Sequence, residues 1–359
     1  MKERAFETDY KRNRGETREL DGEEFFEHFT LVANAGQKTM RVDKFLATFL
    51  PNISRSRIQN ASKAGSILVN GSPVRVSYKI KPRDEVKLIL PYPPPPEMEP
   101  EEIPLDIRHE DEQVIVLYKS ANMVCHPGIG NHHGTLVQGL LWHVGLRGEL
   151  PKGTNDHSRA SLAHRLDKNT TGIMVVAKTE AALAHLGKQF FNRTTHRLYH
   201  AIVWGDVAED AGTIEAHTGR NIRNRKIFAA FPDGSQGKHA ITHFKVLERF
   251  GIATLVQLKL ETGRTHQIRV HMKYKGHPLI GDHEYGGDQI PTKITTGRFK
   301  QFAKNCLTIM PHQALHAKTL AFDHPANDER MTFDSEPSSN FIELLEKLRI
   351  WYEAYNESE

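Results

Sequence analysis

Residues 164–179 read HRLDKNTTGIMVVAKT, and this stretch places a polar cluster directly before an apolar strand. The run from Gly172 to Ala177 is apolar and rich in β-branched residues, which is typical of a strand buried inside a sheet. His164, Arg165 and Asp167 come just before it. A lone carboxylate before a strand is more often a turn-former than a catalytic group, so Asp167 needs support from the rest of the chain.

The sequence around this stretch predicts more strands than helices. Strand patterns cover residues 114–118, 172–177, 198–204, 253–260 and 316–322. Helix patterns cover residues 180–191, with Thr179 as an N-cap, 265–274 and 341–355. The strands do not alternate regularly with helices. The pattern therefore favours an α+β domain with a mixed, mainly antiparallel sheet over a doubly wound parallel sheet.

Composition divides the chain into four parts. Residues 91–104 read PYPPPPEMEPEEIP, and seven prolines in fourteen residues predict an extended linker. The linker separates a domain over residues 25–90 from a larger one over residues 105–359. Residues 1–24 are charged and nearly free of apolar side chains, so we expect a disordered tail there. Residues 25–32 are predicted to form a strand that joins the first domain.

The first domain is strongly basic and has a recognisable order. Residues 36–90 carry eleven basic and three acidic residues, a net charge of +8, which favours a polyanionic partner. A helix pattern over 42–50 precedes a second helix that starts with Arg55 and Arg57. Cationic side chains at a helix start suit a phosphate backbone. Asn70-Gly71 then predicts a hairpin whose second strand alternates through Tyr78.

This basic stretch resembles a known RNA-binding module. Residues 41–86, RVDKFLATFLPNISRSRIQNASKAGSILVNGSPVRVSYKIKPRDEV, are similar to the S-four type (alpha-L) RNA-binding domain, and the match extends over residues 38–90. The resemblance implies a small α+β domain that contacts structured RNA through its second helix. Because the module occurs on many RNA-handling proteins, it does not identify the reaction.

Several classes of protein are excluded. Mean hydropathy is −0.53 and no run of 18 apolar residues occurs, which argues against a membrane-spanning helix. The start of the chain lacks the apolar segment of a secretory signal. Two cysteines cannot build a disulfide framework or a cysteine zinc site, so we expect a reducing, cytoplasmic compartment.

The larger domain resembles the RluA family of pseudouridine synthases over residues 110–335. HRLD with the following KNTTGIMVVAKT is similar to the family signature. The agreement continues through MVCHPGIGNHHGTLVQGLL (123–141), RLYHAIVWG (197–205), LETGRTHQIRVHMKYKGHPLIGD (260–282) and HQALHAKTLAFDHP (312–325). One departure is visible, because the family lead-in K-P-A-G is Lys119-Ser120-Ala121-Asn122 here. Loss of Pro and Gly is expected to alter that turn.

The resemblance implies the conversion of a uridine in RNA to pseudouridine, which needs no cofactor and no metal. It assigns the reacting carboxylate to Asp167 and leaves open whether that group attacks the sugar or the base. Arg269 is implied to pair with Asp167, since a close cation favours an ionised carboxylate and can orient it. Tyr199 is implied to stack on the target base and to take part in proton transfer.

The same resemblance implies further contacts with substrate. Arg165 would fill the gap left by a flipped nucleotide, and Leu315 would form part of the wall of the base pocket. Arg264 belongs to the predicted substrate-binding residues, as do Arg55 and Arg57. His164 and His266 are placed in the same group, although hydrogen bonding within the site is the stronger alternative for both.

Three questions stay open at this point. A non-catalytic ribosome-assembly factor is an alternative to an enzyme. A metal-dependent hydrolase using His312 and His316 is a second, weakened by the absence of H-E-x-x-H and of a cysteine cluster. Within the enzyme interpretation, the basic module and the H-P-G-x-G-N segment resemble the large-subunit ribosomal RNA branch, with tRNA as the alternative substrate. The family implies a monomer.

Overall fold

A computed structural model describes residues 10–11, 17–20, 23–49, 55–90, 99–128, 130–145, 162–291 and 297–356. These residues fall into two compact units, one made of residues up to 90 and the other of residues from Glu99 onwards. Within the described ranges, no helix combines the length and the apolar character that crossing a membrane requires.

The first unit is a small sheet covered by two helices. Its strands are β1 (Tyr10–Lys11), β2 (Thr17–Leu20), β3 (Glu23–Val32), β4 (Met40–Arg41), β5 (Ile67–Val69), β6 (Ser72–Pro73), β7 (Lys79–Ile80) and β8 (Glu85–Leu90), and its helices are α1 (Val42–Phe49) and α2 (Arg55–Lys63). The main sheet has the order β1-β3-β8-β5-β6, β2 pairs with β3, and β4 and β7 form a separate pair. All pairings of described strands in this unit are antiparallel.

The amphipathic stripe of α1 explains the core of the first unit. Val42, Phe45 and Leu46 are buried and pack with Ile58 of α2 and with the apolar side chains of the sheet. The predicted strand near residues 25–32 is confirmed as β3, which pairs with β8. The predicted hairpin is present but shorter than expected, because β6 ends at Pro73. One further bond follows it, since the Val74 amide donates to the carbonyl of Ile67 at 3.0 Å.

The predicted tail and linker coincide largely with residues outside the described ranges. Of the tail, residues 1–24, the described stretches Tyr10–Lys11 and Thr17–Leu20 are strands paired with β3. Of the linker, residues 91–98 lie outside the described residues. The rest, residues 99–104, belongs to the second unit, where Glu101 accepts a hydrogen bond of 2.6 Å from Gln138.

The second unit consists of a long sheet with helices on both faces. Its strands are β9 (Asp106–Glu110), β10 (Val114–Lys119), β11 (Thr171–Ala177), β12 (His196–Trp204), β13 (Ala211–Glu215), β14 (His217–Arg220), β15 (Phe228–Phe231), β16 (Ile241–Arg249), β17 (Ala253–Leu260), β18 (Leu315–Asp323) and β19 (Arg330–Asp334). Its helices are α3 (Leu136–Gly145), α4 (Glu180–Asn192), α5 (Gln267–Tyr274), α6 (Gly297–Ile309) and α7 (Ser339–Asn356).

The main sheet of the second unit is mainly antiparallel, as the sequence predicts. Its order is β13-β16-β17-β12-β18-β11-β10-β9, β19 pairs with β18, and β14 and β15 form a separate hairpin. Among the described strands, β11 and β18 are the one parallel pair. Gly172 lies at that junction with φ of 119°, and a Cβ there would lie 2.3 Å from the carbonyl oxygen of Ala317. Only glycine allows the two backbones to approach so closely.

Strand alternation directs side chains to two faces of this sheet. On one face, Met174 of β11 and Ala201 of β12 share a core with Leu140 of α3 and Ile268 of α5. On the other face, α4 covers one group of strand residues, and α6 and α7 cover another. The predicted cap of α4 is confirmed, since the Thr179 hydroxyl accepts a hydrogen bond of 3.1 Å from the Ala182 amide.

Candidate active site

Two buried side chains, those of Lys119 and Cys125, hold the backbone on both sides of Asp167. The buried Lys119 ammonium donates to the carbonyl of Lys168 at 2.9 Å, and the buried Cys125 thiol donates to the carbonyl of Leu166 at 3.3 Å. The Leu166 side chain is anchored in the core. Asp167 itself keeps a half-buried side chain, with 19% of its surface exposed. The loop is therefore fixed while its carboxylate remains accessible.

Lys119 also fixes the loop that follows β10. Its ammonium donates to the carbonyls of Ser120 at 2.8 Å and Met123 at 2.9 Å. Burial lowers the pKa of Lys119 to about 8, against the opposing influence of Cys125 and Asp167. One buried side chain thus joins the end of β10 to the loop that carries Asp167.

The turn that departs from the family pattern keeps an unusual backbone conformation. Asn122 has φ of 65°, in the left-handed region that asparagine tolerates better than most residues. Its amide donates to the side-chain oxygen of Asn169 at 3.2 Å. The segment 119–122 is therefore tied to the Asp167 loop at both of its ends.

Arg269 is held on α5 by three carboxylates. Its Nε and Nη2 donate to both oxygens of the buried Asp282, at 2.7 and 2.8 Å, and Nη2 also donates to Glu284 at 2.6 Å. Its Nη1 donates to Oδ2 of Asp167 at 3.2 Å. Burial opposes the charged form, but these carboxylates raise the pKa of Arg269 above its ordinary value. The guanidinium is thus permanently charged, and Asp282 aims it at Asp167.

Tyr199 and Leu315 lie together beneath this charged cluster. Tyr199 is 7% exposed and Leu315 is 5% exposed, and both belong to the core that includes Leu166 and Ile268. Their strands, β12 and β18, are neighbours in the sheet. Burial raises the pKa of Tyr199, and the nearby Asp167 carboxylate adds to that effect while Arg197 opposes it. Tyr199 therefore enters any reaction as a protonated phenol.

A depression of about 250 Å³ opens on the other side of the Asp167 loop. Arg165, Lys168 and Asn131 are among the residues that line it, together with Val124, Cys125, His126, Pro127, Gly128 and Leu166. The Arg165 side chain is exposed, and Lys168 donates to Asn131 at 3.2 Å. The depression is large enough for one small group such as a phosphate or a ribose, next to two cations.

His266 lies beside Asp167, as expected of a residue that hydrogen-bonds within the site. Its Nε2 is 3.9 Å from Oδ1 of Asp167, and its Nδ1 is 2.8 Å from the hydroxyl of Tyr285. Arg264 is close in sequence but is engaged elsewhere, since its Nε donates to the carbonyl of His239 at 3.1 Å.

His164 does not join the group around Asp167. Its ring stacks on Phe190 of α4, with centroids 4.5 Å apart, and its Nε2 accepts a hydrogen bond of 3.1 Å from the Val175 amide. Desolvation lowers the pKa of His164 to about 3, so the ring stays neutral. These contacts favour the structural alternative for His164 over a contact with substrate. Its ring packs against α4, on one face of the sheet, whereas the Asp167 side chain contacts Arg269 of α5, on the opposite face.

His316, one of the two histidines considered for a metal, has other partners. Nδ1 of His316 is 2.9 Å from the hydroxyl of Thr171, and its Nε2 is 3.0 Å from the carbonyl oxygen of Ser335. Within the described part of the chain, no group of three or more His, Cys, Asp or Glu side chains is arranged to hold a metal ion. Arg55 and Arg57 lie at the start of α2, but their side chains are outside the described set.

The structure also brings in residues that sequence reasoning did not assign. Asp282, Glu284 and Tyr285 surround Arg269, whose guanidinium lies 4.8 Å from the centroid of the Tyr285 ring. Asp282 is the last residue of the motif over residues 260–282, and Glu284 and Tyr285 follow it closely. A pair of carboxylates close in sequence to Arg269 was the available signal. The sequence singled out Lys119 only as the first residue of the turn that departs from the family pattern.

Comparisons with known proteins agree with this architecture. A family model described as RNA pseudouridylate synthase matches residues 113–274, and a model for the S4 domain, the S-four type named above, matches residues 40–86. Fold and site together thus define a pseudouridine synthase preceded by an RNA-binding domain.

Relatives extend the agreement over nearly the whole chain. An "Uncharacterized RNA pseudouridine synthase" of Chlorobaculum parvum is 42% identical over 322 residues, covering 89% of this chain and 97% of that protein. "Ribosomal large subunit pseudouridine synthase D" of Pseudomonas aeruginosa is 41% identical over 316 residues, covering 88% and 94%. The solved structure titled "Human RNA Pseudouridylate Synthase Domain Containing 4" superposes with a TM-score of 0.53 at 25% identity, covering 68% of this chain and 93% of that one.

The chain belongs to the RluA family of RNA pseudouridine synthases and carries an N-terminal S-four domain. It is accordingly an isomerase acting on RNA, and the fold predicted from the sequence is confirmed. Family membership favours the enzyme over the non-catalytic and metal-hydrolase alternatives.

Proposed function

We propose that this enzyme converts uridine to pseudouridine in large-subunit ribosomal RNA, with Asp167 as the reacting carboxylate. The observation that carries the proposal is the 3.2 Å contact between Oδ2 of Asp167 and Nη1 of Arg269, above the buried Tyr199. A buried guanidinium fixed by Asp282 orients the Asp167 carboxylate through Oδ2 and leaves Oδ1 for a second contact.

The charges of the site suit a positively charged ribose. Three carboxylates, those of Asp167, Asp282 and Glu284, contact one guanidinium, that of Arg269, so these four side chains together carry a net charge of −2. When the bond between the ribose and ring nitrogen 1 lengthens, positive charge develops on the sugar. Fixed negative charge nearby lowers the energy of that state.

The surroundings of Asp167 also suit an extruded base. Tyr199 and Leu315 provide an aromatic and an aliphatic surface in the floor of the site, on which a uracil freed from the ribose can turn. Arg165 lies at the exposed rim, where a guanidinium can stack in the gap that a flipped nucleotide leaves. Such stacking offsets part of an unstacking cost of a few kcal/mol.

The substrate class is inferred from two features. The S-four domain carries the +8 segment of residues 36–90, which suits a structured polyanion. Relatives named "Ribosomal large subunit pseudouridine synthase D" match 88% of the chain. We therefore favour large-subunit ribosomal RNA over tRNA, in the cytoplasm, with the enzyme acting as a monomer.

The reaction is tested by tritium release from RNA labelled at carbon 5 of uridine. Wild type should release tritium from ribosomal RNA, and Asp167→Asn should bind the same RNA but release less than about one part in a thousand. Higher residual turnover would contradict the role of Asp167. Release from tRNA alone would favour the tRNA alternative, and no release from either RNA would favour an assembly factor.

The anchoring role of the S-four domain has a separate test. Arg55→Ala with Arg57→Ala should weaken RNA binding and reduce the dependence of log Kd on log salt by about one unit per lost phosphate contact. Lys304→Met on α6 serves as a control for loss of an exposed positive charge in the other unit. Equal affinity and an equal salt slope in the double variant would refute the anchoring role.

A further inference from the structure

The hydrogen bonds around His266 determine which ring nitrogen carries its proton. The hydroxyl of the buried Tyr285 accepts a hydrogen bond of 3.1 Å from the Phe228 amide. Its own proton is then free to point at Nδ1 of His266, 2.8 Å away. Burial raises the pKa of Tyr285 to about 12, so the hydroxyl keeps that proton. Nδ1 is therefore an acceptor, and a neutral His266 carries its proton on Nε2.

This Nε2–H group faces the oxygen of Asp167 that Arg269 leaves free. Arg269 donates to Oδ2, whereas Nε2 of His266 is nearest to Oδ1, at 3.9 Å. A movement of about 1 Å would bring Nε2 and Oδ1 to the usual hydrogen-bond distance. Catalytic hydrogen bonds are often long in a free enzyme and shorten when substrate binds.

The backbone of His266 is held in a costly conformation that gives the ring this direction. His266 has φ of 55° and ψ of 22°, in the left-handed region, directly before α5. The buried Gln267 holds the turn, since its Oε1 accepts from the Thr262 hydroxyl at 2.8 Å and from the Arg264 amide at 2.9 Å. Such a conformation is strained for a residue other than glycine and persists where the surroundings enforce it.

We infer that His266 is a positioning residue for the reaction: its Nε2–H, set by Tyr285, orients the free oxygen of Asp167 toward the substrate. This inference rests on the proposed role of Asp167. Arg269 and His266 then hold one oxygen each, which leaves the carboxylate a single orientation. The donor is a neutral imidazole, so it directs Asp167 without cancelling the charge of the carboxylate.

Charged groups around the ring agree with a neutral histidine. Burial lowers the pKa of His266, Arg269 acts in the same direction, and Asp167, Glu284 and Asp282 oppose them. Glu284 lies 3.6 Å from Nδ1 but is engaged by Arg269, and the Phe228 ring packs edge-on against the imidazole. Nζ of Lys273 lies 5.8 Å from the centroid of the Tyr285 ring. Protonation at Nδ1 would require the Tyr285 hydroxyl to turn its proton away and accept a second hydrogen bond beside that from Phe228.

The inference is tested by single-turnover tritium release with saturating RNA, alongside RNA affinity. His266→Phe should lower the rate about 10- to 100-fold, the effect of losing one hydrogen bond to a charged group, and leave Kd within about 2-fold. His266→Gln keeps an N–H donor near the same place and should recover most of the rate. Tyr285→Phe should lower the rate as well, since it removes the group that sets the tautomer.

Controls separate this role from a structural one and from failure of the proposed function. His185→Gln, on α4, should behave as wild type. If Asp167→Ala is inactive while His266→Phe turns over like wild type, the positioning role is overturned and the proposed function stands. If Asp167→Ala remains active, the proposed function itself fails. Equal losses in His266→Phe and His266→Gln, accompanied by lower thermal stability, would indicate a merely structural residue and overturn the inference.

A spectroscopic measurement tests the tautomer without relying on activity. Nitrogen-15 labelled histidine in the full chain, with the signal of His266 assigned by its loss in His266→Gln, should show the proton on Nε2 near neutral pH. The same signal in Tyr285→Phe should show a mixture of tautomers. A proton on Nδ1 in the wild type would overturn the inference.

Discussion

Replacement of Lys119 by methionine offers a quantitative test of the support beneath Asp167. The Lys119 side chain is fully buried, and its ammonium has three carbonyl partners. Burial is the larger influence and lowers its pKa to about 8, against about 10.4 for lysine in an unfolded chain. Methionine fills a similar volume and does not titrate.

The sign of the effect follows from proton binding. Because the folded-state pKa is the lower one, the unfolded chain binds more protons between about pH 8 and 10. The free energy of unfolding therefore rises with pH across that window. Integrating the two titrations gives a gain of about 2 kcal/mol for the wild type between about pH 7.5 and 9.5. Lys119→Met lacks this gain, so the difference between the two proteins should shift by that amount.

Urea unfolding followed by tryptophan fluorescence measures this difference. Trp142, Trp204 and Trp351 are the three tryptophans of the chain, and all lie in the second unit, so the signal reports on the unit that contains Lys119. Lys304→Met, at an exposed position, should follow the wild type at both pH values. If the wild type and Lys119→Met change in parallel with pH, the pKa of Lys119 is not lowered and the reasoning is refuted.

Two further substitutions test other contacts. Asp282→Asn removes the carboxylate that holds the buried Arg269, so it should cost about 3 kcal/mol of stability and most of the activity. Urea unfolding and tritium release measure the two effects. Wild-type values in both assays would contradict the role of Asp282 in holding Arg269. Thr179→Ala removes the cap of α4 and should cost about 1 kcal/mol in the same unfolding assay, whereas Thr179→Ser should not. Equal stability of the two Thr179 variants would exclude a capping role.

Local features of the second unit could be predicted because they depend on residues near in sequence. The strand over Ala253–Leu260 is found at its predicted bounds, and α4 begins after the predicted cap Thr179. Alternation, periodicity and capping are set within a few residues. The helices α3 and α6 were not predicted, although the sequence carries signals for both. At the start of α3, the Thr135 amide donates to the side-chain oxygen of Gln138 at 3.1 Å and the Gln138 amide donates to the Thr135 hydroxyl at 3.4 Å, which is a capping box. The buried residues of α6, Phe302, Ala303 and Cys306, follow helical spacing.

Long-range contacts of the site were harder to predict. The family resemblance joined Asp167 to Arg269, residues 102 positions apart. It did not reveal that Asp282 and Glu284 hold the same arginine, or that the Lys119 ammonium supports the Asp167 loop from β10. These contacts form only when β10, β11 and the turn after α5 come together in the fold. The spacing of residues along the chain does not predict which distant elements meet.

The sequence by itself determined the class of fold, the basic RNA-binding domain and the residue types needed for the reaction, since charge and hydrophobic pattern are properties of the chain. The tertiary structure alone decided where each polar side chain points. His164 and Asp167 are three residues apart, yet one ring packs under α4 and the other side chain meets Arg269. The physical reason is that direction depends on the burial and hydrogen bonds supplied by distant elements. The tautomer of His266, set by Tyr285 and Phe228, follows from the same cause.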